Sequence, residues 1–89
     1  MKIIVEQIDE KRRKELGIDS WSIWEKGVSE FDWKYSAREI CYILEGRAIV
    51  TTPDGNSAEF GKGDLVTFPI GLSCRWKIIK AVRKHYKFG

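Results

Sequence analysis

The chain has 89 residues, a hydrophobic fraction of 43% and four tryptophans, enough to fold one domain spanning 1–89 and too little for two. Its 16 basic and 13 acidic side chains leave a net charge of +3, too mild for the concentrated basic face that nucleic acid requires. No apolar run approaches the roughly 20 residues that span a bilayer, and the opening residues lack the apolar stretch of a signal peptide. A cytosolic protein with neither nucleic acid nor membrane as partner is therefore expected, and a homodimer is expected because small barrels often complete their burial against a second subunit.

Ile3–Ile8 alternates as an opening strand. The charged stretch Asp9–Leu16 follows, and its basic run Lys11-Arg12-Arg13-Lys14 sits between acidic residues. It reads as one short solvated helical segment, capped by Asp9 and stopped by Gly17. A second strand around Trp21, Ile23 and Trp24 ends at Lys26-Gly27. Seven short β runs come next: Phe31–Tyr35, Glu39–Leu44, Ala48–Thr52, Ser57–Phe60, Leu65–Phe68, Cys74–Ile79 and Arg83–Phe88. Turn residues separate them at Glu45-Gly46, Gly61-Lys62-Gly63 and Pro69-Ile70-Gly71. The sharpest turn is Pro53-Asp54-Gly55, where proline presets φ, aspartate bonds the backbone and glycine tolerates positive φ. Arg83-Lys84-His85 reads as part of a half-exposed last strand. Short strands at this spacing predict an antiparallel sandwich or barrel.

Two cysteines, Cys41 and Cys74, form no CxxC pair, so a structural disulfide is not expected in a reducing compartment. The single histidine, His85, cannot supply a multi-histidine metal centre.

Two blocks narrow the class. One runs from Gly27 through Trp33, Tyr35 and Glu39 to Gly46; the other runs G-DLVTF-P-I-G from Gly63 to Gly71 and on through Cys74. Their spacing resembles the paired motifs of the cupin family. The segments Trp21–Gly27, Glu39–Gly46 and Val82–Phe88 are similar to the small single-domain cupins related to ureidoglycine aminohydrolase and the ethanolamine-utilisation cupins. The resemblance implies an all-β jelly roll of two antiparallel sheets around a cavity; the short helical turn at Asp9–Leu16 and the first strand lie outside it.

In metal-binding cupins histidines occupy the positions of Trp33, Tyr35 and Cys74, and only the glutamate, Glu39, is kept. By position these four residues line the cavity, and strand parity adds Cys41 and Trp76. Trp24 and Phe68 complete the candidate ligand-binding set of Trp33, Cys41, Trp76, Phe68 and Trp24. An indole nitrogen only donates, and Glu39 with Cys74 alone makes a weak metal site, so no metal and no cofactor is expected. Glu39 is the candidate general acid or base, Tyr35 the proton donor or oxyanion partner, and Cys74 a candidate nucleophile. Cys74 reads equally as a small buried apolar residue, and the aromatics as ordinary core. The expected ligand is a small organic metabolite, cationic or sugar-like, held by ring stacking and the carboxylate. Three functions stay open: an enzyme working without the standard metal, a non-catalytic binding module, and a metal-dependent hydrolase or isomerase with unusual Glu, Cys and Tyr ligands.

Overall fold

The structure, a computed structural model, describes residues 2–89. Seven antiparallel strands join in one hydrogen-bonded network: β1 (Ile4–Gln7), β2 (Ser22–Lys26), β3 (Ser29–Lys34), β4 (Glu39–Thr51), β5 (Ser57–Gly61), β6 (Asp64–Phe68) and β7 (Ser73–Phe88). The fold is an all-β jelly roll. The helix α1 (Glu10–Leu16) is capped as its sequence implies. The Asp9 side chain accepts from the Arg12 amide, and Gly17 closes the far end in a left-handed conformation.

Two details differ from expectation. Glu39–Leu44 and Ala48–Thr52 are one strand, and so are Cys74–Ile79 and Arg83–Phe88. These long strands run side by side and carry the pairing from one layer into the other. The first half of β4 and the last part of β7 make a layer with β6, β1 and β2, while their other halves pair with β5 and β3. The expected pair of sheets is thus one continuous sheet folded on itself.

The fold line falls where the β4–β7 register slips, between Ile43 and Ala48. Gly46 sits there with φ of 95°, and a Cβ on it would lie 2.2 Å from the Ala81 carbonyl oxygen. Glu45-Gly46 reads as a turn because glycine marks turns, but here it lets two backbones pass without ending either strand.

The interior of the fold is apolar and draws on both layers. Phe60 and Phe68 meet Trp76 at ring-centroid distances of 5.4 and 5.6 Å, and Cys41, Ile43, Val50 and Val66 are fully buried around them. Outside the sheet, Ile18, Tyr42 and Leu65 form a second cluster beside Leu16 and Trp21, so the first half of β4 is covered on both faces. The Pro53-Asp54-Gly55-Asn56 turn closes the β4–β5 hairpin. The Asn56 carbonyl accepts from the Thr52 amide at 2.9 Å, and Asp54 accepts from the Thr52 hydroxyl and the Asn56 amide. No helix among the described residues is long and apolar enough to cross a membrane.

Candidate functional site: an aromatic pocket around a buried ion pair

Along the first half of β4, Glu39, Cys41 and Ile43 point inward while Tyr42 points to the outer cluster, as strand parity requires. Along the last part of β7 the inward set is Val82, Lys84 and Tyr86. Lys84 stands opposite Ile43 on one side and Trp24 on the other. Its side chain and that of Glu39 lean toward each other, and Nζ donates to Glu39 Oε2 at 2.7 Å. Both side chains are almost wholly removed from solvent, at 5% and 6% exposure.

The ammonium is also held by ring faces. Nζ lies 4.8 Å from the ring centroids of both Trp24 and Trp76, whose rings meet edge to face at 6.1 Å. One carboxylate and two indoles therefore enclose the cation, the arrangement expected when a charge must be compensated away from water.

Tyr35 lies beside this pair. It stacks on Phe68 at 4.7 Å, and its oxygen accepts from Trp76 Nε1 at 3.2 Å. Burial, and next the nearby Glu39 charge, push the phenol well above its ordinary pKa of 10, so Tyr35 keeps its proton and can donate it. Trp33 meets Tyr35 edge-on at 6.5 Å and is about half exposed, as is Phe88.

A cavity of about 320 Å³ opens onto these groups. Glu39, Tyr35, Trp33, Trp76 and Trp24 line it, all five singled out from the sequence. Lys84, Phe31, Tyr86 and Phe88 line it too, and sequence reasoning missed all four. Three expected residues stand elsewhere. Cys41 is fully buried in the core, where burial pushes its thiol up to about 12. Phe68 backs Tyr35 from behind, without reaching the cavity wall. Cys74 faces the β3 backbone, and its thiol donates to the Trp33 carbonyl at 3.6 Å. Burial and the Glu39 charge push it up to about 11, so it is a poor nucleophile at neutral pH. Parity identified the correct faces; the short cysteine side chains end before the cavity that the larger rings enclose. His85 is turned to the outer side, where Nδ1 donates to the Trp21 carbonyl at 3.0 Å.

The sequence profile of the EutQ-like cupin domain matches residues 13–86. The chain belongs to this cupin family. Among solved structures it is similar to a DUF861 family protein from Thermotoga maritima, with 53% identity over 99% of this chain and 100% of that one and a TM-score of 0.97. It also resembles the Clostridium difficile EutQ protein, with 24% identity, 74% of this chain, 52% of that one and a TM-score of 0.68. A putative ethanolamine utilization protein Q from Salmonella typhimurium matches at 19% identity over 99% of this chain and 69% of that one, with a TM-score of 0.67; these last two comparisons speak for the fold. No curated protein matches the sequence.

The donor set of this cupin does not suit the metal that the resemblance to histidine-bearing cupins implies. Trp33 offers no lone pair, Tyr35 holds its proton, Cys74 is spent on a backbone carbonyl, and the Glu39 carboxylate already faces an ammonium. Among the described residues no three His, Cys, Asp or Glu side chains converge. A metal beside Glu39 would meet the positive charge of Lys84, which repels it.

Proposed function

We propose that the pocket of this cupin binds a small, uncharged organic metabolite between the rings of Trp24, Trp33 and Trp76, with Glu39, Lys84 and Tyr35 supplying the polar contacts. The observation that carries this reading is the buried Glu39–Lys84 pair at the wall of an aromatic cavity. Apolar side chains of similar volume would fill the same space at equal or greater stability, so a pair kept at a concave surface argues for a role in binding or chemistry. The expected preference for a cationic ligand gives way, since Lys84 already occupies the cation's place against Glu39. Free buried Cys41 and Cys74 suit a reducing compartment such as the cytosol. A homodimer stays our proposal, to be checked by sedimentation.

The test is a titration of three ligands of one size, benzyl alcohol, benzylamine and benzoate, followed through the indole N–H resonances. The alcohol is expected to shift Trp24, Trp33 and Trp76 at lower concentration than either ion, and Trp33→Ala to weaken it with the fold intact. Tighter binding of either ion, or no shift from any of the three, would overturn the reading. Once a natural ligand is known, Glu39→Gln separates enzyme from binder, by loss of turnover at retained affinity.

A further inference from the structure

We propose that Lys84 is a carbonyl-capturing amine, and that the pocket takes a small uncharged aldehyde or ketone and holds it as an iminium on Nζ. The inference rests on the pocket-binding reading above and adds its chemistry. Of the lysines among the described residues, Lys84 alone is buried; the others stand in solvent. Amines activated for carbonyl chemistry are typically withdrawn from water and provided with a proton acceptor. Lys84 has both, since it lines the cavity and its Nζ is 2.7 Å from Glu39 Oε2.

The step balances with groups already present. Glu39 takes one proton from the ammonium, freeing the nitrogen lone pair. That pair forms the N–C bond to the carbonyl carbon as the C=O π pair moves onto oxygen. A proton passes from nitrogen to that oxygen, giving a neutral carbinolamine, and Tyr35, which lines the same cavity, is the group assigned to relay it. Its oxygen accepts from Trp76 Nε1, which leaves its own O–H free to donate. Protonated Glu39 then returns its proton to the hydroxyl, which leaves as water while the nitrogen lone pair forms the C=N bond. The product is an iminium cation beside a carboxylate, so the charge pattern of the resting ion pair is restored, and the Trp24 and Trp76 faces that held the ammonium at 4.8 Å face the new cation. No oxidant, metal or second reactant is consumed.

The test uses benzaldehyde, the carbonyl counterpart of benzyl alcohol, with cyanoborohydride to reduce any iminium to a stable secondary amine, followed by peptide mapping. Lys84 is expected to be benzylated at least about tenfold faster than exposed lysines such as Lys62 and Lys77, through proximity and its proton acceptor. Lys84→Arg, which keeps the charge, should abolish that site alone, and Glu39→Gln should slow it. Wild-type protein carries the decisive result without any variant. If surface lysines are modified while Lys84 is not, the proposal falls. If benzyl alcohol still shifts the indole resonances in that case, pocket binding stands and only carbonyl capture is lost. If neither compound engages the pocket, both readings fall together.

Discussion

Replacing Lys84 by methionine keeps most of the side-chain volume and removes the charge, which leaves Glu39 at 6% exposure with no cation beside it. Breaking one side of a buried pair costs about 3–5 kcal/mol, because the remaining charge stays desolvated. Domains of this kind have only about 5–15 kcal/mol in total, so Lys84→Met should lose a large fraction of its stability. Glu39→Gln should cost less, since the ammonium keeps its two indole faces, a contact worth about 2 kcal/mol or more when desolvated. In the double variant neither charge is stranded, and stability should return to within about 1 kcal/mol of wild type. The assay is urea unfolding of all four proteins at unchanged m-value, from which the cycle gives a coupling of at least about 2 kcal/mol. Raising the salt should leave that coupling intact, because screening acts on exposed charges. The Arg75 pairs with Glu30 and Asp32, half exposed or more, are the contrast and should respond to salt. A coupling below about 0.5 kcal/mol, or one that salt abolishes, would show the Glu39–Lys84 pair to be solvated and refute the reasoning.

Three further outcomes are expected. Gly46→Ala should cost at least about 3 kcal/mol or prevent folding, since the added Cβ meets the Ala81 backbone at 2.2 Å as well as an unfavourable φ. Gly55→Ala, with φ of 87° and open space around the new Cβ, should cost only the conformational term of about 1–2 kcal/mol, so equal losses in urea unfolding would count against the fold-line role. The Cys41 thiol is raised by burial from 9.0 to about 12, which means the folded protein holds a proton that the unfolded chain gives up. That stabilisation is whole below pH 9.0 and is lost as the pH rises toward about 12; Cys41→Val should flatten the alkaline limb of a stability–pH curve, and an unchanged limb would reject the assignment. Finally, chelation should leave the thermal midpoint unchanged and elemental analysis should find no stoichiometric metal. Metal that disappears in a Glu39→Ala, Cys74→Ala variant would restore the metal-enzyme alternative.

What the sequence made legible, and what it hid, follows from the geometry of strands. Motif spacing and parity place Trp33, Tyr35, Glu39 and Trp76 toward one cavity, because parity decides which face a side chain takes. Parity is silent about depth, and so Cys41 and Cys74 read as pocket residues although neither lines the cavity. Continuity was hidden as well, since a glycine that lets two backbones cross looks the same as one that turns the chain. Lys84 was hidden for a different reason. Polar residues on a strand are read as its solvent face, but β7 is covered on both sides at this point: His85 is buried outward against the Trp21 carbonyl and Lys84 is buried inward, so Arg83-Lys84-His85 does not report exposure. A signal was nonetheless present. An acid placed inside an aromatic barrel is costly unless a countercharge faces it, and such a charge must come from an inward position on a neighbouring strand. Val82, Lys84 and Tyr86 share one parity on the strand beside Glu39, and only Lys84 carries a charge. The cost of the unpaired acid therefore points to Lys84 once β4 and β7 are known to be neighbours, and pairing between distant strands is the step that local patterns do not supply.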